Sequence, residues 1–246
     1  MLNKAKQIGH RLTGLFLDDS QKMNILGKAL DSNVLKLVEA ALMKGAKPAM
    51  QEIDFLLRSE NPPTLEFFKD LCELFSEFGA DLNEPIKPIA IVSDKYDSEP
   101  TIISSIIRYS NYSEEAINYL LERGVQPTGA DVWVACRVES DRKYLKVLLD
   151  SGIDPYNYVP KIALIGNPCI LFETIKYRDL DKLKLASQYP YQGDLPRGVA
   201  QALHKLFLAA ERKEGFTPEF ADFATEAAKY LGHLKEDALR IHSKYR

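Results

Sequence analysis

The feature that most constrains this chain is a stop signal that recurs. Four patterned segments end at Gly45, Gly79, Gly124 and Gly152, and the third residue beyond each is Pro48, Leu82, Pro127 or Pro155. Seven residues before the glycines stand Val38, Cys72, Ile117 and Leu145, and four before them Ala41, Phe75, Leu120 and Leu148. Just after them come Ala46, Ala80, Val125 and Ile153. Glycine permits the left-handed turn that closes a helix, and proline keeps the helix from resuming. Positions seven and four before a stop share a helical face, so every segment buries the same stripe. The register predicts a stack of helical hairpins. Tyr144–Pro155 carries the whole pattern in one run, and a weaker fifth copy at Leu180, Leu183, Ser187 and Pro190 has serine in place of glycine.

The intervals between glycines are 34, 45 and 28 residues. A period of about 33–34 points to ankyrin or tetratricopeptide arrays. The endings Leu-Leu-Glu-Arg-Gly124-Val-Gln-Pro, Leu-Leu-Asp-Ser-Gly152-Ile-Asp-Pro and Phe75-Ser-Glu-Phe-Gly79-Ala-Asp-Leu-Asn83 resemble the close of the second helix in the ankyrin family. The tryptophan, glycine and tyrosine pattern of tetratricopeptides is not found. The likeness spans about residues 33–190 and is partial. The family's Thr-Pro-Leu-His start is missing, with Val159-Pro160-Lys161-Ile162-Ala163 its nearest approach. The 28-residue step reads as a unit with a shortened finger, the 45-residue step as one with an insertion near Glu84–Ser98.

The fold expected is all-α: an ankyrin-like helical-hairpin solenoid of about four to five irregular units with helical caps. An N-terminal helical cap takes residues 1–32, the repeats 33–191, and a C-terminal helical cap 192–246. First helices fall at Ala49–Arg58, Pro100–Tyr109, Gly129–Val138 and, less regularly, Pro160–Gly166 and Cys169–Tyr177. Second helices fall at Thr64–Phe78, Ser113–Arg123 and Asp141–Ser151. Asp31-Ser32-Asn33 reads as the cap of a helix ending at Gly45, since short polar side chains accept bonds from its free N–H groups. Near the C-terminus, Arg197–Lys213 is one helix. Thr217-Pro218-Glu219 starts a second that runs through Leu234, with Glu236 and Arg240 paired outside at i, i+4.

Composition excludes more than it identifies. A net charge of −3 gives no bulk pull toward nucleic acid or anionic lipid. Cys72, Cys136 and Cys169 are too few for a disulfide framework, which fits a reducing, cytoplasmic location. No stretch has the length of a membrane span. The basic, acid-free residues 1–17 could form a membrane-surface or targeting helix, but a helix covering the end of the stack is the simpler reading.

Nothing in the sequence assembles a catalytic or metal constellation, and no cofactor is implied. His10, His204, His233 and His242 lack partners at ligand spacing, and Ile165-Gly166-Asn167-Pro168 lacks the glycine and lysine of a phosphate loop. The pairs Asp18-Asp19 and Glu114-Glu115 suit helix starts. The expectation is therefore a non-enzymatic module. Ten of twelve tyrosines lie between Tyr96 and Tyr191, and several of those fall in turns after second helices. Tyrosine offers area and a polar tip at little entropic cost, so interface and edge packing are both open. Trp133 on a first helix packs between units or anchors a concave face. The contact residues expected are Trp133, Arg137, Tyr156, Tyr158, Tyr189 and Tyr191, with the 84–98 insertion as a further candidate.

The ankyrin resemblance implies protein–protein recognition, with a partner protein bound as adaptor or inhibitor would bind it. Short divergent arrays of this kind are similar to those of phage proteins and pathogen effectors that block a host factor. The alternative is a nucleic-acid-binding helical-repeat protein. Arg137, Arg142, Lys143, Lys161 and Arg178 could flank stacked bases, but Asp131, Glu139, Asp141, Asp150, Asp154 and Glu173 intersperse them. Identity of the partner and oligomeric state are not legible from these residues.

Overall fold

The computed structural model describes residues 18–86, 101–109, 112, 114–137, 142–156, 169–193 and 195–244. Among them every regular element is a helix. The N-terminal segment 1–17, Ser113, Tyr158, the helix expected at Pro160–Gly166 and most of the 84–98 insertion lie outside the described residues. No described helix is long and apolar enough to cross a membrane.

The chain divides into two compact units, the first holding 18–86 and 101–126, the second 127–244. The first unit contains α1 (Asp19–Asp31), α2 (Leu35–Met43), α3 (Met50–Leu57), α4 (Leu65–Glu77), α5 (Ile102–Tyr109) and α6 (Glu115–Glu122). Its helices form two rows. Helix α3 packs between α1 and α5, α4 packs between α2 and α6, and the pairs α1–α2 and α5–α6 join the rows.

The second unit contains α7 (Gly129–Arg137), α8 (Lys143–Asp150), α9 (Ile170–Tyr177), α10 (Leu180–Ala186), α11 (Arg197–Arg212), α12 (Pro218–Leu231) and α13 (Lys235–Lys244). Here α9 packs between α7 and α11, α10 packs between α8 and α12, and α13 lies on α11. Helices α1, α11 and α12, expected as caps, thus pack on the rows of their own unit.

The glycine register determines both backbone and core. Gly45, Gly79, Gly124 and Gly152 all have φ between +84° and +98°, where a side chain would be strained. Beyond the glycine the chain folds back. The N–H groups of Ala46, Ala80 and Val125 donate to the carbonyls of Ala41, Phe75 and Leu120, which closes each helix in a Schellman turn. The columns at −4 and +1 are the apolar pair that accompanies this turn. All eight residues at −7 and −4 are buried. Burial of one such side chain as large as Phe75 or Leu148 stabilises by about 1.5–3 kcal/mol.

Side chains tie successive turns together within the first unit. The Glu84 carboxylate accepts from the Met50 N–H at 3.3 Å, and the Asn83 side chain accepts from the Gln126 N–H at 2.8 Å. Tyr112 and Tyr119 donate from α6 and its approach to the carbonyls of Pro63 and Lys69, at 2.6 and 3.1 Å.

Three local expectations change. Asp31-Ser32-Asn33 ends α1 instead of starting α2: Ser32 is its C-cap and Asn33 turns left-handed at φ +52°, while Val34 begins α2 without a side-chain bond. Asparagine tolerates that conformation, so the polar run serves a stop as well as a start. Ser187 closes α10 at φ −68°, without the left-handed turn of the glycine copies. The C-terminal run is three elements, since α12 yields at Gly232 to a 3-10 turn (Gly232–Leu234) before α13. Arg240 pairs with Asp237, one residue nearer than Glu236. Other starts are as read: Thr64 and Thr217 cap α4 and α12, and Asp18 caps α1 in a reciprocal box with Gln21.

Candidate functional site

The six expected contact residues fall into two groups and one that lies outside the described residues, Tyr158. Tyr156, Tyr189 and Tyr191 come together in the second unit. Tyr156 is core, not a surface tip: it is 1% exposed and its hydroxyl donates to the Tyr189 carbonyl at 3.0 Å. Burial pushes its phenol up to about 12. Its ring meets Tyr191 edge-on at 5.4 Å, beside His233. The hydroxyls of Tyr189 and Tyr191 donate to Asp150 at 2.5 Å and to Asp237 at 2.7 Å. These tyrosines fasten α8, α10 and α13 because a phenol spans the gap between elements and satisfies its polar end there.

Trp133 and Arg137 form the other group, one turn apart on α7. Trp133 is buried, and the exposed Arg137 guanidinium lies 4.6 Å from the centre of its ring. The same guanidinium is 5.2 Å from the ring of Tyr177 on α9, which is exposed. Arg137 forms no ion pair among the described residues; its contacts are two aromatic faces, which attract a cation through their quadrupoles. One turn back from Tyr177, Glu173 is buried, and its Oε2 accepts no hydrogen bond among the described residues. Burial raises the Glu173 pKa, opposed by the charges of Lys176, 3.8 Å away, and Arg137.

The first unit holds an equivalent arrangement. Arg58, capping α3, lies 5.1 Å from the centre of the exposed Tyr109 ring on α5, one row neighbour along. In each unit the end of a first helix therefore presents an arginine stacked on the tyrosine that ends the next.

A groove of about 800 Å³ opens between α9, α11 and the start of α12. Its apolar lining includes Phe172 and Ile175 from α9 and Phe216 and Phe220 from the α11–α12 corner. Among the described residues its charged lining is Lys176, Arg178 and Lys205, with no carboxylate. Arg178 and Lys205 approach the Phe220 ring at 5.7 and 5.6 Å.

Arg178 occupies the place that glycine takes elsewhere. It follows α9 at φ +58°, and the Asp179 N–H donates back to Thr174 at 3.0 Å, as in the glycine turns. An L-residue in that conformation costs about 1–2 kcal/mol, which glycine would avoid. Asp179 then caps α10 at once, accepting from the Lys182 N–H at 3.0 Å. Sequence reasoning passed over Tyr177, Lys205 and this groove. The available signal was a helix stop without a glycine immediately before an Asp N-cap.

Cys72, Cys136 and Cys169 are buried and burial pushes all three thiols up, Cys169 to about 12, so they stay protonated at neutral pH. Among the described residues no cluster of histidine, cysteine and carboxylate groups could hold a metal ion. His204 and His242 stack at 4.0 Å between ring centres.

Comparison with protein-family models, curated proteins and solved structures gives no match. The reading of this chain therefore rests on its own residues.

Proposed function

We propose that the chain is a non-enzymatic protein-recognition module, an ankyrin-like helical-hairpin solenoid that binds a partner protein as an adaptor or inhibitor. The observation that carries this is the arginine-on-tyrosine pair at the end of the first-helix row, above all Arg137 between Trp133 and Tyr177. Arginine, tyrosine and tryptophan are enriched among the few residues that dominate the energetics of protein interfaces. A guanidinium already in contact with two rings is pre-organised, so less of its freedom is lost when a partner arrives. Two rows of short helices expose their ends and turns side by side, which suits an extended surface more than an enclosed site.

Affinity capture from lysate at physiological salt tests the reading. A stoichiometric protein partner, lost with Arg137→Ala and Tyr177→Ala together, supports it. Undiminished capture by that variant, or no partner at all, contradicts it.

The second reading, nucleic-acid binding, draws on the same cation–aromatic contacts. A mobility-shift titration across salt separates the two, since phosphate contacts give a steep salt slope.

A further inference from the structure

We infer that the groove between α9, α11 and the start of α12 binds an acidic segment of a partner protein, seating an apolar side chain on Phe172, Phe216 and Phe220 while its carboxylates meet Lys176, Arg178 and Lys205. The inference rests on the protein-recognition reading and names the chemistry of the partner.

Charge is the first argument. Arg178 and Lys205 are held about the same distance from one ring, at 5.7 and 5.6 Å, and among the described residues no carboxylate lines the groove with them. Two like charges gathered over an apolar floor are mutually unfavourable, and an arriving anion relieves that. Guanidinium and ammonium together suit carboxylates presented at different angles, the arginine as a fork and the lysine as a point charge.

The backbone supplies an independent argument. Every glycine stop in the repeat register takes the left-handed turn with glycine, yet α9 takes it with Arg178. A residue held in a costly conformation with its side chain lining a cavity is the pattern of a site in which the side chain is required. A glycine would close the same turn without that cost, so the turn itself does not call for the arginine side chain.

The lining favours a peptide over a nucleic acid. Phe172, Ile175, Phe216 and Phe220 make it apolar, which fits an aromatic or aliphatic anchor with acidic flanks. A nucleic-acid track needs cations continued along it, and the first turns of α12, which carry Phe220, hold Glu219 and Asp222 and no cation.

The test is a peptide-display selection on the whole chain at physiological salt, followed by anisotropy titration of a labelled selected peptide of about ten residues. Enriched sequences are expected to pair carboxylates with Phe, Trp or Leu. Lys205→Glu is expected to weaken binding about tenfold or more, and Lys205→Arg to retain it. Arg178→Gly is expected to weaken binding comparably while raising the thermal midpoint by a few degrees, which a merely structural arginine would not do. Enriched peptides without an acidic excess overturn the proposal, as does undiminished binding by Lys205→Glu or Arg178→Gly. Selected peptides lost with Arg137→Ala and Tyr177→Ala but indifferent to the groove variants overturn the groove alone and leave the broader reading standing. Displacement of the peptide by oligothymidylate with a steep salt slope assigns the groove to nucleic acid and overturns both.

Discussion

The two units place the same residue types at the ends of their first helices and use them oppositely. In the first, Asp54 sits one turn before Arg58, fully buried, and receives bonds from Gln51 at 2.9 Å, from Arg58 Nε at 2.9 Å and from Ser105 of α5. The Arg58 charge is neutralised within the core, with its side chain only 14% exposed. In the second, Trp133 stands one turn before Arg137, where the first unit has its aspartate, and the arginine remains exposed over two rings. The carboxylate has moved to the neighbouring helix, as Glu173, where it is buried and poorly paired. One exchange, aspartate for tryptophan, divides a structural arginine from one available to a partner.

The largest expected effect breaks the first unit's network. Asp54→Ala should cost about 3–5 kcal/mol, because it leaves the Arg58 charge buried and uncompensated. Urea denaturation measures this. A loss under about 1 kcal/mol would make the two arginines alike.

Next come the stops, where the units should agree. Gly79→Ala and Gly152→Ala should each cost about 1–2 kcal/mol, because both sit at positive φ with open space around them. Gly27, inside α1 with nothing near it, should respond the other way, Gly27→Ala stabilising by about 0.5–1 kcal/mol. A large difference between the two stops would mean that the shared register has different backbone roles in the two units.

Glu173 yields a pH dependence. Its pKa is raised by burial above the ordinary 4.5, so the folded chain holds this proton more tightly than the unfolded chain. The group therefore favours folding below its ordinary range and loses that contribution as pH rises through the raised value. Glu173→Gln should flatten the dependence of the thermal midpoint on pH between the ordinary carboxylate range and neutrality, and raise it by a few degrees at pH 7. A steeper profile in the variant would contradict the assignment. Arg137→Ala should have a similarly small effect on stability, a loss of about 0.5–1 kcal/mol from its two ring contacts.

What was legible in the sequence was local. The apolar stripe and the glycine stops obey the geometry of one helix and its first turn beyond, so Val38, Phe75, Leu120 and Leu148 could be placed in the core from spacing. Partners distant in sequence could not be read that way. Asp54 meets Ser105 across 51 residues, and Tyr156 meets Tyr189 across 33, so a tyrosine that looked like a turn tip is in the core. The left-handed turns at Asn33 and Arg178 were missed for a related reason. Glycine advertises the conformation, whereas asparagine and arginine adopt it only where neighbouring elements impose it. The candidate surface was half visible: Trp133 and Arg137 share a helix face, but Tyr177 and Lys205 come from α9 and α11.

The division between the two arginines is tested most directly by measuring capture of the partner with Arg58→Ala and Arg137→Ala side by side, well below the melting transition of either. The account predicts that Arg137→Ala loses most of the captured protein with little change in stability, whereas Arg58→Ala, though markedly destabilised, captures as the unaltered chain does. Capture lost with Arg58→Ala and kept with Arg137→Ala would contradict it.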